Sequence, residues 1–301
     1  MTEILLIDED SKFGNLYLMQ LSTYFKQRGD TVFLNEWRDP DKVFTSCLFK
    51  KNRGQALGRA KLYPKAEVFI GGTGINFSLG NQKISKLKPD YSLYPSKECL
   101  GRTTWGCIRN CPWCCVTQKE GKFKRWQHIT EFYDERFDTV RLLDNNILAD
   151  KNWFFDNMAF VLAQDLKVKE GGMDIRLITP EIADLLRVVN FDGMLHFAWD
   201  QMGDEENVLG GIKILKEAGF DTRHEVSFYV LTNFNTTKAQ DLHRCKVLRD
   251  LNVNPFVMVY EDETIAEKWY HDLAWSVNRK ACFWSNNWLD MVSTDAIAIS
   301  R

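Results

Sequence analysis

No apolar stretch of this chain approaches the length of a membrane span. The N-terminus, Met-Thr-Glu-Ile-Leu-Leu-Ile-Asp, lacks the basic head and apolar run of a secretory signal. These two absences lead us to expect a cytoplasmic protein without membrane association. Neither sign of charge is in excess: 39 Lys and Arg against 41 Asp and Glu leave a net charge of -2, which argues against broad electrostatic capture of nucleic acid. One local exception is the basic run Lys119, Lys122, Lys124 and Arg125. Such a run is ordinarily a solvated face, with contact to an anionic substrate as the alternative. With 45% hydrophobic and 27% charged residues, the 301-residue chain has core enough for one large domain or two smaller ones.

Also missing is any second Cys-x-x-Cys or His-x-x-x-His that would pair with the one conspicuous cysteine cluster, Cys107-Ile-Arg-Asn-Cys111-Pro-Trp-Cys114. A closed structural zinc site wants four ligands, usually as two separated pairs. Thiolates at i, i+4 and i+7 can instead converge on one small inorganic body. A cubane iron–sulfur cluster held by three cysteines leaves one iron open for catalysis. A zinc loop or a chance cluster is the alternative. Eight cysteines in a chain with no export signal point to a reducing compartment and to metal or redox chemistry, not to a disulfide framework. Cys47, Cys99, Cys115, Cys245 and Cys282 show no ligand spacing and are expected to be buried structural thiols. Cys115 is an awkward ligand because it adjoins Cys114.

Two rhythms run along the chain. Residues 3–8 read as a parallel strand buried on both faces. A helix over 15–28 follows, with Leu18, Leu21 and Phe25 near one face and Gly29 ending it. Strands are expected at 31–35, 43–49 and 68–71, with a helix at 53–62 before the last, which opens a doubly wound sheet. The glycines of Gly71-Gly72-Thr73-Gly74 let a ligand or a neighbouring backbone come close. Residues 84–98, with Pro89 and Pro95, read as a connector. Strand–helix pairs then follow. The first strand, 103–106, runs into the cysteine loop and a helix at 129–135. The next pairs are 139–143 with 152–166, 174–178 with 180–189, and 195–199 with 205–218. The last two are 226–231 with 238–251 and 256–260 with 265–278. Thr179-Pro180 is a hydroxyl cap with proline in the first turn. The expected fold class is α/β: a partial (β/α)6 TIM-like barrel over 91–285, preceded by a small doubly wound Rossmann-like domain over 1–90. A C-terminal tail, 286–301, is expected to close the open side of the barrel.

In parallel α/β barrels ligands sit at the carboxyl ends of the strands. The second strand ends in Asp144-Asn145-Asn146, polar side chains that are costly there unless they bind something; an Asx turn is the alternative. Arg176 on the third strand needs an anion, either a ligand carboxylate or Asp174 or Asp200. Asp200 ends the fourth strand, Thr232 and Asn233 the fifth, and Tyr260 the sixth. His196 and His224 fall on predicted strands and read as satisfied core histidines.

The C-x3-C-x2-C spacing, with an aromatic residue before the third cysteine, resembles the signature of the radical S-adenosylmethionine (radical SAM) enzymes. The resemblance implies a [4Fe–4S] cluster on Cys107, Cys111 and Cys114. Its open iron would bind the amino acid end of S-adenosylmethionine. One electron, from a donor such as flavodoxin or ferredoxin, would then give a 5'-deoxyadenosyl radical that abstracts hydrogen from a substrate that no motif names. By position, Asp144, Asn145 and Asn146 look like the element that binds the cofactor's amino group. Arg176 would meet its carboxylate, Asp200 a ribose hydroxyl or the substrate, and Trp113 would pack near the adenine.

The first domain resembles the cobalamin-binding-like domain of many members. Its Ser46-Cys47-Leu48 and Gly71-Gly72 look like the S-x-L and G-G elements of cobalamin sites. The D-x-H-x-x-G element is absent, with Glu9 and Ser11 where Asp and His would precede Gly14. We therefore expect a docking scaffold. Cobalamin-dependent methyl transfer is the second reading, and a non-catalytic zinc-binding or interaction module the third. A methylthiotransferase is disfavoured because the further cluster cysteines of its usual N-terminal domain are missing.

Overall fold

The run Ile4–Ile7 is the centre of β1 (Glu3–Asp8), and its side chains are buried. α1 (Leu16–Gln27) is capped by Asn15, whose side chain accepts from the Leu18 N–H. It packs Leu18, Leu21 and Phe25 with Ile4 and Leu6. Gly29 leaves the helix at a φ of 82°, a left-handed conformation that a Cβ disfavours. β2 (Thr31–Leu34), β3 (Lys42–Ser46), α2 (Arg53–Ala60) and β4 (Glu67–Gly71) complete an all-parallel sheet of order β2-β1-β3-β4. Leu5, Ile7 and Val43 cluster with Tyr63, separately from the Ile4 cluster. The continuous apolar run follows from this, since alternate residues of β1 point to opposite faces and both are covered.

The computed structural model describes residues 1–77, 80–261, 265–290 and 292. The chain divides into two compact units, Met1–Asp144 and Asn145–Arg301. Within the first unit, β5 (Cys99–Gly101) pairs in parallel with β8 (Thr139–Leu142). The strand expected at 103–106 is instead β6 (Thr104–Trp105), antiparallel to β7 (Lys124–Arg125). Gly106 causes the difference: at a φ of 71° it turns the chain so tightly that a Cβ would lie 2.4 Å from the Lys122 carbonyl oxygen. α3 (Val116–Glu120) lies within this hairpin, and α4 (Ile129–Phe132) is a single turn closed by a His128–Glu131 capping box.

The second unit begins with α5 (Lys151–Ala163), β9 (Lys167–Lys169), α6 (Pro180–Val188) and β10 (Asn190–Phe191). Thr179 caps α6 with Pro180 at its start, as its sequence requires. β9 pairs in parallel with β10. Then come β11 (Leu195–Ala198), α7 (Glu205–Glu217), α8 (Thr222–Glu225), β12 (Val226–Thr232), α9 (Lys238–Asp250) and β13 (Asn254–Val259). The strands β11, β12 and β13 form a parallel sheet in that order. α10 (Lys268–Asn278) and α11 (Lys280–Phe283) follow.

The third expected strand, 174–178, is a 3-10 turn over Ile175–Leu177, and the strand lies earlier, at β9. The Asp174 side chain accepts the Arg176 N–H, a local turn that competes with sheet pairing. The fold is thus α/β with parallel sheets, and the sheets are open among the described residues. No helix among those residues is long and apolar enough to cross a membrane. Of the expected tail 286–301, residues 291 and 293–301 lie outside the described residues.

Candidate functional site

The cysteine loop is built on the β6–β7 hairpin. The Cys107 backbone bridges to Lys122, and the Cys107 Sγ accepts the Arg109 N–H at 3.4 Å. The Cys114 N–H donates to the Cys111 carbonyl at 3.0 Å, closing the turn that holds Pro112 and the half-buried Trp113. The Thr117 hydroxyl donates to the Arg109 carbonyl at 2.9 Å, tying the loop to α3. None of the eight cysteines is in a disulfide. Cys107 and Cys111 are half-buried and Cys114 is exposed, whereas Cys47, Cys99 and Cys245 are buried. Burial pushes the Cys245 thiol up to about 12, the mark of an inert structural cysteine. Cys115 and Cys282 are half-buried and so less enclosed than their sequence context suggests.

Among the described residues no three His, Cys, Asp or Glu side chains are gathered around a position for a metal ion. A cubane spreads its sulfur ligands wider than a single ion does, so the relevant test is the donor set. Three thiols on one accessible loop, none lost to a disulfide, fit a thiolate-held cluster.

The polar triplet separates into different roles. The Asp144 carboxylate accepts the Thr103 N–H and hydroxyl at 3.0 and 2.8 Å, and the Thr104 N–H and hydroxyl at 2.5 Å each. It pins the start of β6, and burial raises its pKa against the pull of these donors. Asp144 therefore has an occupant within its own unit. Asn145 is half-buried. Asn146 is 3% exposed, and its buried Oδ1 has no hydrogen-bond partner. An unsatisfied buried acceptor is costly and calls for an explanation.

Arg176 does not project from a strand. Its Nε and Nη2 grip Asp174 at 2.7 and 3.1 Å, and Nη1 meets Asp204 at 3.2 Å. The expected ligand carboxylate is thus replaced by two side-chain carboxylates of its own unit, because the 3-10 turn sets Arg176 beside Asp174. Asp200, just beyond β11, accepts the Leu231 N–H at 3.2 Å, and burial pushes its pKa up to about 6. Asn233, at a φ of 65°, donates to the Tyr260 carbonyl at 2.9 Å, and Thr232 is fully buried, so both join strand ends.

Two groups in the second unit escaped the sequence reading. Arg244 on α9 is fully buried; it donates to the Trp199 carbonyl at 2.6 Å and to the Leu231 carbonyl at 2.7 Å, and it pairs with the equally buried Asp241. It thereby ties the carboxyl ends of β11 and β12. Only its i,i+3 spacing from Asp241 could have signalled this, and that spacing is common on solvated helix faces. The other group is Glu170, His196 and Tyr229. Glu170 accepts the His196 N–H at 3.0 Å, and the imidazole stacks on the Tyr229 ring at 5.3 Å. Glu170 Oε2 and His196 Nδ1 are buried without hydrogen-bond partners, so His196 is not the satisfied core residue expected. His224 is on α8, not a strand, and its exposed ring contacts Asp221 at 2.8 Å.

In the first sheet, the elements that resemble a cobalamin site are engaged by the chain itself. Glu9 pairs with Arg59 at 3.3 Å, the Ser11 N–H donates to Asp8, and Ser46 accepts from Asn15 at 2.8 Å. Gly14 lies against the Tyr94 ring, whose hydroxyl donates to Asp8 at 2.6 Å. Gly72 has a φ of 104°, and a Cβ there would come 2.3 Å from the Cys47 carbonyl oxygen, so the chain alone explains this glycine. Gly14, Ser46, Gly71 and Gly72 nevertheless line a cavity of this unit, and we derive no step through a corrin. Of the basic run, Lys122, Lys124 and Arg125 are exposed, as a solvated face requires, and Lys119 is the exception. Lys119 is half-buried and donates to the Thr73 hydroxyl at 2.7 Å, and Lys124 lies 4.8 Å from the centre of the Trp126 ring.

No protein-family model matches the chain, and no curated protein matches it.

Proposed function

We propose that the chain is a radical SAM enzyme. The observation that carries this reading is the C-x3-C-x2-C spacing on one accessible loop. Cys107, Cys111 and Cys114 would hold a [4Fe–4S] cluster. When bound, it supplies the electron for reductive cleavage of S-adenosylmethionine, and hence a 5'-deoxyadenosyl radical for hydrogen abstraction from a substrate.

The chain's own residues have the following roles. Asp144 holds the start of β6 and so the base of the cysteine loop. That the polar triplet meets the cofactor's ammonium rests on the family resemblance, and Asn146 is a member of it whose Oδ1 has no hydrogen-bond partner. The Arg244–Asp241 pair fixes the strand ends beside which Asp200 stands. For the architecture we assign a partial (β/α)6 barrel after a Rossmann-like domain. The parallel pairing within each unit and the strand–helix alternation support that assignment. A flavodoxin- or ferredoxin-like donor would supply the electron.

The test is anaerobic reconstitution with iron and sulfide, followed by reduction in the presence of S-adenosylmethionine. The expected result is bound iron close to four per chain, as the family resemblance implies, and formation of 5'-deoxyadenosine. Protein that takes zinc and no iron would overturn the proposal in favour of a structural metal module. So would full iron loading without cofactor cleavage.

A further inference from the structure

The first unit contains a cavity of about 580 Å³ beside α1, at the carboxyl ends of β3 and β4. Its size is that of small-molecule sites, and its place is where doubly wound sheets receive ligands. The wall is mostly apolar. Leu18 and Leu21 of α1 line it, together with the rings of Phe44 and Phe69, stacked 4.6 Å apart. Gly71 also lines it, and a Cβ added there would meet no atom within 4 Å, in contrast to the tightly packed Gly72.

The charged groups on the lining are unevenly matched. Arg102 is neutralised by Glu120 at 3.0 Å. Among the described residues Lys119 contacts the neutral Thr73 hydroxyl at 2.7 Å and forms no salt bridge, and burial lowers its pKa. An ammonium half-removed from water with no carboxylate in contact is costly, and an arriving anion would relieve that cost.

We infer that this cavity binds a small organic anion, with a flat apolar body against its apolar wall and a carboxylate at Lys119. Trp105, Lys119 and Glu120, which flank the cysteine loop, also line the cavity, and the test of this inference does not depend on an iron–sulfur cluster.

The experiment is isothermal titration of the full chain with 2-naphthoate and, as a neutral probe of the same shape, 2-naphthamide. Saturable one-to-one binding of the naphthoate is expected, about ten- to hundredfold tighter than the amide, the range for a hydrogen bond to a charged group. Lys119→Met should weaken the naphthoate to the level of the amide and leave the amide unchanged. Gly71→Phe, which places a ring in open space, should abolish both, with the circular dichroism spectrum retained. Absence of saturable binding to the unmodified chain would overturn the inference. So would equal affinity for the two probes, or naphthoate binding that survives Lys119→Met unchanged; either would hold even if the Gly71 variant did not fold.

Discussion

Arg244→Met is the substitution whose cost the structure specifies most fully. Arg244 and Asp241 are both fully buried, and the guanidinium also holds the carbonyls of Trp199 and Leu231. Methionine keeps most of the apolar stem but removes every one of these bonds. Asp241 would retain the Asn233 N–H, at 3.2 Å, and lose its counter-charge. Removing one member of a buried ion pair costs about 3–5 kcal/mol, because the other is left charged in a poorly solvating interior. Domains are stable by only about 5–15 kcal/mol, so the loss is a large fraction. For a unit of this size it corresponds to a fall in melting temperature of roughly 6–20 °C. Urea unfolding followed by circular dichroism would measure it. The variant Asp241→Asn combined with Arg244→Met should fall short of the sum of the single effects by about 1–3 kcal/mol, since it leaves no orphaned charge. A melting temperature for Arg244→Met within about 2 °C of the parent, or strict additivity in the double variant, would refute the reasoning.

Other expectations follow from the same structure. Replacing Cys107, Cys111 or Cys114 by Ala should abolish the iron chromophore of reconstituted protein while Cys115→Ala keeps it; equal loss at Cys115, read by absorbance and iron content, would overturn the ligand assignment. Asp144→Ala should lower stability by about 2–4 kcal/mol in thermal melts, because it strands donors at Thr103 and Thr104. Asn146→Ala should change stability by less than about 1 kcal/mol yet weaken S-adenosylmethionine binding about tenfold or more in equilibrium titration of reconstituted protein. Asp200 has a folded-state pKa raised to about 6 by burial. Between its unfolded value near 4 and about 6 the folded state therefore binds more protons, and stability falls as pH rises through that window. Asp200→Asn should consequently stabilise the protein by about 2–3 kcal/mol at pH 8 and by little at pH 4, and urea unfolding curves that shift equally at both pH values would contradict this.

Much of the fold was legible because it rests on local signals. β1 announces itself as an apolar run because both faces of its sheet are covered. α1 and α6 carry their caps, Asn15 and Thr179-Pro180, in the sequence. The cysteine loop is a matter of spacing alone. The misplaced strands show where such signals end. Residues 103–106 and 174–178 have strand-like composition, but Gly106 folds one into an antiparallel hairpin and Asp174 closes the other into a 3-10 turn.

The sequence by itself therefore determined the α/β class, the first sheet and the candidate cluster ligands, all of which depend on neighbours within a few residues. Only the tertiary structure decided what each polar side chain meets. Asp144 reaches Thr103 and Thr104, Arg176 is claimed by Asp174 and Asp204, and Arg244 braces two strand ends. The same holds for glycines adjacent in sequence: Gly72 is fixed by the Cys47 carbonyl, while Gly71 opens onto the cavity. Burial and hydrogen bonding are set by atoms that arrive from distant parts of the chain, and no local pattern encodes which atoms those will be.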